Sequence, residues 1–262
     1  MLWIQAEGQG PPLVLLHAVG TSGAIWWQHI PRLARRFRVL AVDLPGHGKS
    51  PRLQAPVNIE AMAEALYEAL KGETLLPAHL VGLSLGGMVA QMLAVQHPLS
   101  VATLTLCDTI CEANPAAADI LEERAMGVEK SGMGPTVKPT LERWFAPGFS
   151  DRRPEVTDLV EKLLRQADPI VNAQTWRAIA NFDVASRLKS LSNIPALVVN
   201  GSLDTSISPD MGKRIGELLG AELVELAGCA HMAPLEAPEK FMDILEPFLL
   251  AQARDQNQIA NR

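Results

Sequence analysis

The sequence has few cysteines, few aromatic residues and no stripe of positive charge. Its three cysteines cannot all pair, and their spacing matches no metal site with companion histidines, which favours a reducing compartment. The formal net charge is −6, so nucleic acid and anionic membranes are poor candidates as partners. No apolar run reaches the roughly 18 residues that span a bilayer, and the first residues lack the features of a signal peptide. We therefore expect a soluble, cytoplasmic protein.

The apolar content is sufficient for a large core. Apolar residues make up 48% of the 262 residues and charged residues 20%, the balance of an ordinary globular protein. This length allows one large domain, or a core that carries one substantial insertion.

Six short apolar runs are typical of strands buried on both faces of a parallel sheet. They are Leu13–Leu16, Arg38–Val42, Leu80–Leu83, Val101–Leu106, Ala196–Asn200 and Glu222–Leu226. Helical patterns alternate with these runs, at Ile59–Lys71, Gly87–His97, Pro209–Leu219 and Pro238–Leu250. This alternation predicts an α/β fold with a mostly parallel, doubly wound sheet.

One long stretch interrupts the alternation. Residues 113–193 show only helical periodicity, broken by Pro and Gly, which predicts a helical cap or lid inserted into an α/β core of residues 1–112 and 194–250. For the polar tail, residues 251–262, a frayed end and a solvated terminal helix are both compatible with the sequence.

The strongest local signal for chemistry is the segment Gly82–Gly87, which reads G-x-S-x-G-G. It follows a predicted strand and opens a predicted helix, which is the context of a nucleophile elbow. The serine of such an elbow lies on a strained turn, so small residues two before and two after it avoid a steric collision. Ser84 is therefore the predicted nucleophile.

A serine nucleophile needs a base and an acid that orients the base. His231 follows the last predicted strand and is the predicted base. Two aspartates obey the chain order Ser…Asp…His: Asp204, after the next-to-last strand, and Asp108, after Val101–Leu106. Asp204 is the favoured acid, and Asp108 stays open as the alternative. Asp43 comes too early in the chain and is predicted to organise its loop.

Acyl chemistry also needs donors for the developing oxyanion. The residue after the nucleophile, Leu85, offers one backbone N–H. We predict that the second comes from the loop after the first strong strand, at Val19.

Five ordered motifs together resemble the α/β-hydrolase superfamily. They are H-x-x-G (His17–Gly20), D-x-P-G-x-G-x-S (Asp43–Ser50), G-x-S-x-G-G (Gly82–Gly87), G-x-x-D (Gly201–Asp204) and G-x-A-H (Gly228–His231). The family usually has His-Gly where this chain has His17-Ala18.

Within that superfamily, the chain resembles 3-oxoadipate enol-lactonases. The likeness lies in Val19-Gly20-Thr21 with Trp26, Phe37–Leu40, Glu142–Phe149 and Asn181–Asp183. The opening residues are also similar to those of acyl-carrier methyl ester carboxylesterases.

The resemblance implies a serine hydrolase that opens a small lactone or ester through an acyl-enzyme, without cofactor or metal. The helical insertion would roof the site, with Trp144, Arg143 and Trp26 as candidate pocket residues and Phe145 and Trp176 as further walls. Core packing stays open as the alternative for these aromatic residues, and it is the favoured alternative for Trp26. Arg143 would bind the free carboxylate of an enol-lactone of aromatic catabolism. Open alternatives are a carboxylesterase, a carbon–carbon bond hydrolase and a non-enzymatic ligand receptor; a homodimer is expected only from general frequencies.

Overall fold

A twisted, mostly parallel sheet forms the centre of the protein. The computed structural model describes residues 1–54 and 57–260, without the side chains of 209 and 254–260. In these residues seven strands have the order β1-β3-β2-β4-β5-β6-β7, and only β1 runs antiparallel to its neighbour. The strands are β1 (Ile4–Glu7), β2 (Pro12–Leu16), β3 (Arg38–Val42), β4 (Ala78–Leu83), β5 (Val101–Cys107), β6 (Ala196–Gly201) and β7 (Glu222–Leu226).

Helices cover the sheet, as the alternating pattern predicts. The principal core helices are α2 (Ile59–Gly72), α3 (Leu85–Gln96), α10 (Pro209–Leu219) and α12 (Pro238–Ala260), with short helices α1 (Ile30–Leu33) and α11 (Ala233–Glu236). Both faces of β4 and β5 are buried, which explains why these strands read as continuous apolar runs. The predicted α/β fold class is confirmed.

The segment 113–193, which we call the helical insertion, is described in full. Apart from a single bridge between Asp183 and Glu112, it holds helices and no strand. These are α4 (Ala118–Ser131), α5 (Gly134–Trp144), α6 (Phe149–Arg152), α7 (Pro154–Gln166), α8 (Pro169–Ala180) and α9 (Ala185–Leu188).

The structure adds strand β1, which was not predicted, and extends several predicted elements; β4 begins at Ala78 rather than Leu80. Strand β1 was not predicted from the sequence because it is a largely exposed edge strand without an apolar run. Helix α3 begins at Leu85 rather than Gly87, directly after the turn at Ser84. Helix α12 continues past Leu250 to Ala260, so the polar tail is helical up to that residue, and 261–262 lie outside the described residues.

Among residues 1–54 and 57–260, no helix is long and apolar enough to cross a membrane. The carboxyl ends of the parallel strands meet at one edge of the sheet, where ligands bind in open α/β folds. The loops after β2, β4, β6 and β7 open there, and they carry the predicted site residues.

Candidate active site

Ser84 lies on a strained turn between β4 and α3. Its φ of +54° and ψ of −113° are rare for a residue with a side chain. Two hydrogen bonds hold this turn: the Ser84 N–H donates to Cys107 O at 2.9 Å, and the Thr109 hydroxyl donates to Ser84 O at 2.7 Å. The turn directs the serine side chain into a cavity at the edge of the sheet.

The glycines on both sides of Ser84 make this turn possible. A Cβ on Gly82 would collide with the backbone of Gly86, and a Cβ on Gly86 would collide with the backbone of Leu16. Backbone atoms cannot move aside cheaply at these contacts. The G-x-S-x-G pattern is therefore a steric requirement of the turn.

The structure brings Ser84, His231 and Asp204 together from three loops. Ser84 Oγ lies 3.0 Å from His231 Nε2, and His231 Nδ1 lies 2.9 Å from Asp204 Oδ2. Because the carboxylate only accepts, Nδ1 carries the proton of a neutral His231, and Nε2 is free to accept the serine proton. All three side chains are buried. The arrangement can deprotonate the serine hydroxyl and support the positive charge that forms on the imidazole.

Of the two candidate acids, Asp204 is the one that contacts His231. Its second oxygen accepts the backbone N–H groups of Ser206 (2.7 Å) and Ile207 (3.2 Å), which fixes the carboxylate. Asp108 instead accepts the Gly201 N–H at 2.7 Å, beneath the loop that carries Asp204. Burial and the negative charge of Asp204 raise the pKa of Asp108 well above its usual value.

Two backbone amides are available beside the serine. Among the described residues, neither the Val19 N–H nor the Leu85 N–H donates a hydrogen bond. Leu85 is the first residue of α3, where backbone N–H groups have no partner within the helix. These are the two amides predicted to receive an oxyanion.

His17 fixes the loop before Val19. Its Nε2 accepts the Leu44 N–H at 2.9 Å, so Nδ1 carries the proton and donates to Ala18 O at 2.8 Å. Burial lowers the pKa of His17 to about 3, which keeps the ring neutral. Asp43 organises the neighbouring loop, as predicted, by accepting the N–H groups of Gly23 and Lys49.

The loop that carries His231 is joined to the helical insertion. Met232 N–H, just after the histidine, donates to Trp144 O at 3.1 Å. The Glu236 carboxylate accepts the Ala230 N–H, just before the histidine, at 2.7 Å and the Ala146 N–H at 2.8 Å. Both neighbours of His231 are therefore held: Met232 by Trp144 directly, and Ala230 by Glu236, which also binds the Ala146 N–H of the helical insertion.

A cavity of about 780 Å³, which we call the outer cavity, opens above Ser84 and His231. The predicted pocket residues Trp144 and Arg143 line it, together with Val19 and Trp176. The Trp144 ring lies 5.8 Å from the His231 ring.

The prediction of Trp26 as a pocket residue is wrong. Its indole is fully buried in the core, 5.3 Å from the His29 ring and 6.3 Å from the Phe241 ring of α12. Phe145 also lies away from the outer cavity, because its ring stacks on Phe149.

Two arginines on the cavity wall, Arg124 and Arg143, have no carboxylate partner among the described residues. The guanidinium of Arg124 lies 5.1 Å from the centre of the Trp176 ring. Burial, and then the positive charge of Arg124, lower the pKa of Arg143 to about 10. Both groups remain charged at neutral pH and can bind an anion.

The sequence did not reveal Glu236, the anchoring role of His17, or Arg124. Glu236 and Arg124 belong to no motif: Glu236 accepts from the backbone amides of Ala230 and Ala146, and Arg124 lies against the Trp176 ring. His17 carried a usable signal, since it opens the H-x-x-G motif whose loop includes Val19.

Comparisons with known proteins agree with this geometry. The alpha/beta hydrolase family matches residues 13–244. 3-Oxoadipate enol-lactonase 2 of Acinetobacter baylyi is 27% identical over 92% of this chain and 89% of its own length. A pimeloyl-[acyl-carrier protein] methyl ester esterase of Aeromonas hydrophila is 32% identical over 94% of this chain and 98% of its own length. The crystal structure of an enol-lactonase from Burkholderia xenovorans superposes with a TM-score of 0.90 at 27% identity, covering 95% of this chain and 96% of that one.

Proposed function

Because the chain belongs to the alpha/beta hydrolase family, we propose that it is a serine hydrolase that opens a small lactone or ester through an acyl-enzyme. The observation that carries this proposal is the 3.0 Å contact between Ser84 Oγ, on its strained turn, and His231 Nε2. A receptor would need neither the strain at Ser84 nor a buried imidazole and carboxylate aligned behind it.

The reaction proceeds in two halves. Ser84 Oγ attacks the substrate carbonyl while His231 Nε2 takes its proton, and Asp204 stabilises the resulting imidazolium. The bond to the leaving oxygen breaks as His231 returns the proton to that oxygen. Water then attacks the acyl-enzyme with His231 again as base, and the acid is released from Ser84.

The Val19 and Leu85 amides stabilise the oxyanion in both halves. They act on the charge only as it develops, so they lower the barrier rather than the energy of bound substrate. The neutral His17 ring holds Ala18 O, which fixes the backbone direction immediately before Val19. Since the Val19 N–H is a backbone group, its role does not depend on the methyl group of Ala18, where the family usually has glycine.

Glu236 positions His231 without touching the substrate. A Glu236→Gln variant keeps one acceptor oxygen and loses the other, so either Ala230 or Ala146 loses its hydrogen bond. We expect kcat to fall about 10-fold, since a hydrogen bond to a charged group contributes about 1.5–3 kcal/mol, with KM for a small neutral ester nearly unchanged. The control is Glu239→Gln, the same change at an exposed residue of α12. Equal kcat values for the two variants would remove Glu236 from this role.

Within ester hydrolases, the unpaired arginines favour a substrate that carries a carboxylate. A charged group left without a partner on a cavity wall is costly unless a ligand or water pairs with it. The relatives include 3-oxoadipate enol-lactonases. We therefore propose 3-oxoadipate enol-lactone hydrolysis as the specific activity, with a methyl ester carboxylesterase as the second candidate because of the 32% identical esterase.

The Arg143→Ala variant tests directly whether Arg143 binds a substrate carboxylate. In Arg143→Ala we expect KM for a carboxylated lactone to rise about 10- to 100-fold through loss of a charge-assisted contact, with less than a twofold change for a neutral aryl ester. Arg165→Ala is the control, because Arg165 is an exposed residue of α7 paired with Glu161. Steady-state kinetics with both substrates measure the effect, and equal changes for both would remove Arg143 from the substrate site.

A turnover panel tests the proposed function. We expect the highest kcat/KM for the enol-lactone, lower values for methyl half-esters, and the lowest for neutral aryl esters. A methyl ester that is turned over faster than the lactone would favour the second candidate. Absence of turnover for all lactones and esters would overturn the hydrolase assignment.

A further inference from the structure

A second cavity lies beside the outer cavity, between helices of the helical insertion, and it is open to solvent along one side. It has a volume of about 390 Å³, within the range of ligand pockets, and we call it the inner cavity. Helices α4 and α5 supply most of its lining, with Leu164 of α7 and Asn172 of α8. The two cavities share Val19, Arg124, Arg143, Trp144 and Trp176.

The reaction chemistry decides which part of a substrate enters each cavity. Ser84 and His231 border the outer cavity and do not border the inner one. The leaving oxygen must receive its proton from His231 Nε2, so the leaving group occupies the outer cavity. Val19, which supplies an oxyanion donor, borders both cavities and marks the position of the carbonyl. The acyl chain then extends away from His231, towards the inner cavity.

The inner cavity combines apolar walls with polar groups that lack partners. Val128, Met133 and Leu164 provide apolar surface. Asn172 is 97% buried, and its carboxamide oxygen has no hydrogen-bond partner among the described residues. The Nε of Arg143 is buried and unpaired as well. Because buried polar groups are nearly always satisfied, the unpaired Arg143 Nε–H indicates an acceptor group on a ligand in the cavity, and the unpaired Asn172 oxygen indicates a donor.

On the basis of the serine hydrolase function proposed above, we infer that the inner cavity is the acyl subsite and takes an acyl chain that ends in a carboxylate. The methylene groups pack on Val128, Met133 and Leu164. The terminal carboxylate accepts hydrogen bonds from the guanidinium groups of Arg124 and Arg143 and from the NH2 group of Asn172. The substrate class is therefore the half-ester of a dicarboxylic acid, in which the leaving group and the acyl chain are separate groups.

Three p-nitrophenyl esters that share one leaving group distinguish the effect of acyl chain length from the effect of a terminal carboxylate. They are the acetate, the hexanoate and the adipate half-ester. Gly127 of α4 borders the inner cavity, and a Cβ at this position meets no atom within 4 Å. Gly127→Leu suits a helix better than glycine and fills the cavity rim. We expect it to lower the hexanoate-to-acetate ratio of kcat/KM about 10-fold, as loss of buried methylene contacts implies. Gly134→Leu is the control, since a Cβ at Gly134 also meets no atom and Gly134 borders neither cavity.

Asn172→Leu tests whether the inner cavity binds the terminal carboxylate of the adipate half-ester. We expect this variant to lower the ratio of kcat/KM for the adipate half-ester to kcat/KM for the hexanoate about 10-fold, because a hydrogen bond to the substrate carboxylate is lost. Unchanged ratios in both variants, with the enzyme still active on the acetate, would overturn the acyl-subsite assignment alone. A wild-type protein that turns over none of the three esters would instead overturn the proposed function and this assignment with it.

Discussion

Ser84→Ala is expected to lower kcat for any ester or lactone substrate by roughly 10⁴- to 10⁶-fold. The variant removes the attacking oxygen, whereas the oxyanion amides and the cavity walls remain. Only the residual rate that these groups give to a water attack should be left. Steady-state kinetics with a chromogenic ester, at enzyme concentrations high enough to detect that rate, measure the change.

The control for this variant is Ser190→Ala, which removes an exposed hydroxyl that donates to Arg187 O. We expect it to retain full kcat. The Ser84→Ala variant should unfold within a few degrees of the wild type, since the Ser84 backbone bonds are unchanged. Retention of more than a tenth of wild-type kcat in a purified, folded Ser84→Ala protein would show that another group is the nucleophile.

The second large effect concerns the acid. Asp204→Asn removes the negative charge that faces the His231 imidazolium and no longer selects the tautomer with a proton on Nδ1. We expect kcat to fall by roughly 10³- to 10⁴-fold. The measurement is kcat at neutral pH, with circular dichroism to confirm that the loop mutation leaves the fold intact.

Asp108→Asn is the matched comparison for Asp204→Asn. An asparagine at position 108 keeps an oxygen that can accept the Gly201 N–H, and Asp108 does not contact His231. Burial raises the pKa of Asp108 above its usual value, whereas Asp204 is the carboxylate that contacts His231. We expect kcat to fall less than 10-fold, about the effect of one disturbed hydrogen bond. A severe loss in Asp108→Asn with a mild one in Asp204→Asn would exchange the two roles.

The order of elements and the serine turn could be predicted because both follow from local constraints. Strands buried on two faces are mostly apolar, and the collisions that a Cβ would cause at positions 82 and 86 restrict these positions to glycine. Strand β1 could not be predicted in this way, because its partner β3 supplies the pairing while its own side chains stay largely exposed.

The residues that line the outer cavity were harder to predict than Ser84, His231 and Asp204. Trp144 and Trp26 are both buried tryptophans near motifs, and only tertiary packing places one beside His231 and the other against Phe241. Glu236 acts through backbone amides of residues 146 and 230, which sequence spacing cannot reveal. Side chains whose partners are distant in the chain are therefore the ones that required the structure.

The most direct test of the account is to find the residue that becomes covalently modified. The wild-type protein is treated with a fluorophosphonate, digested and mapped by mass spectrometry. We predict a single stoichiometric adduct on the peptide that contains Ser84, lost in Ser84→Ala and formed far more slowly in Asp204→Asn. An adduct on a different residue, or an active enzyme that takes up no phosphonate, would contradict the central claim that Ser84 is the nucleophile.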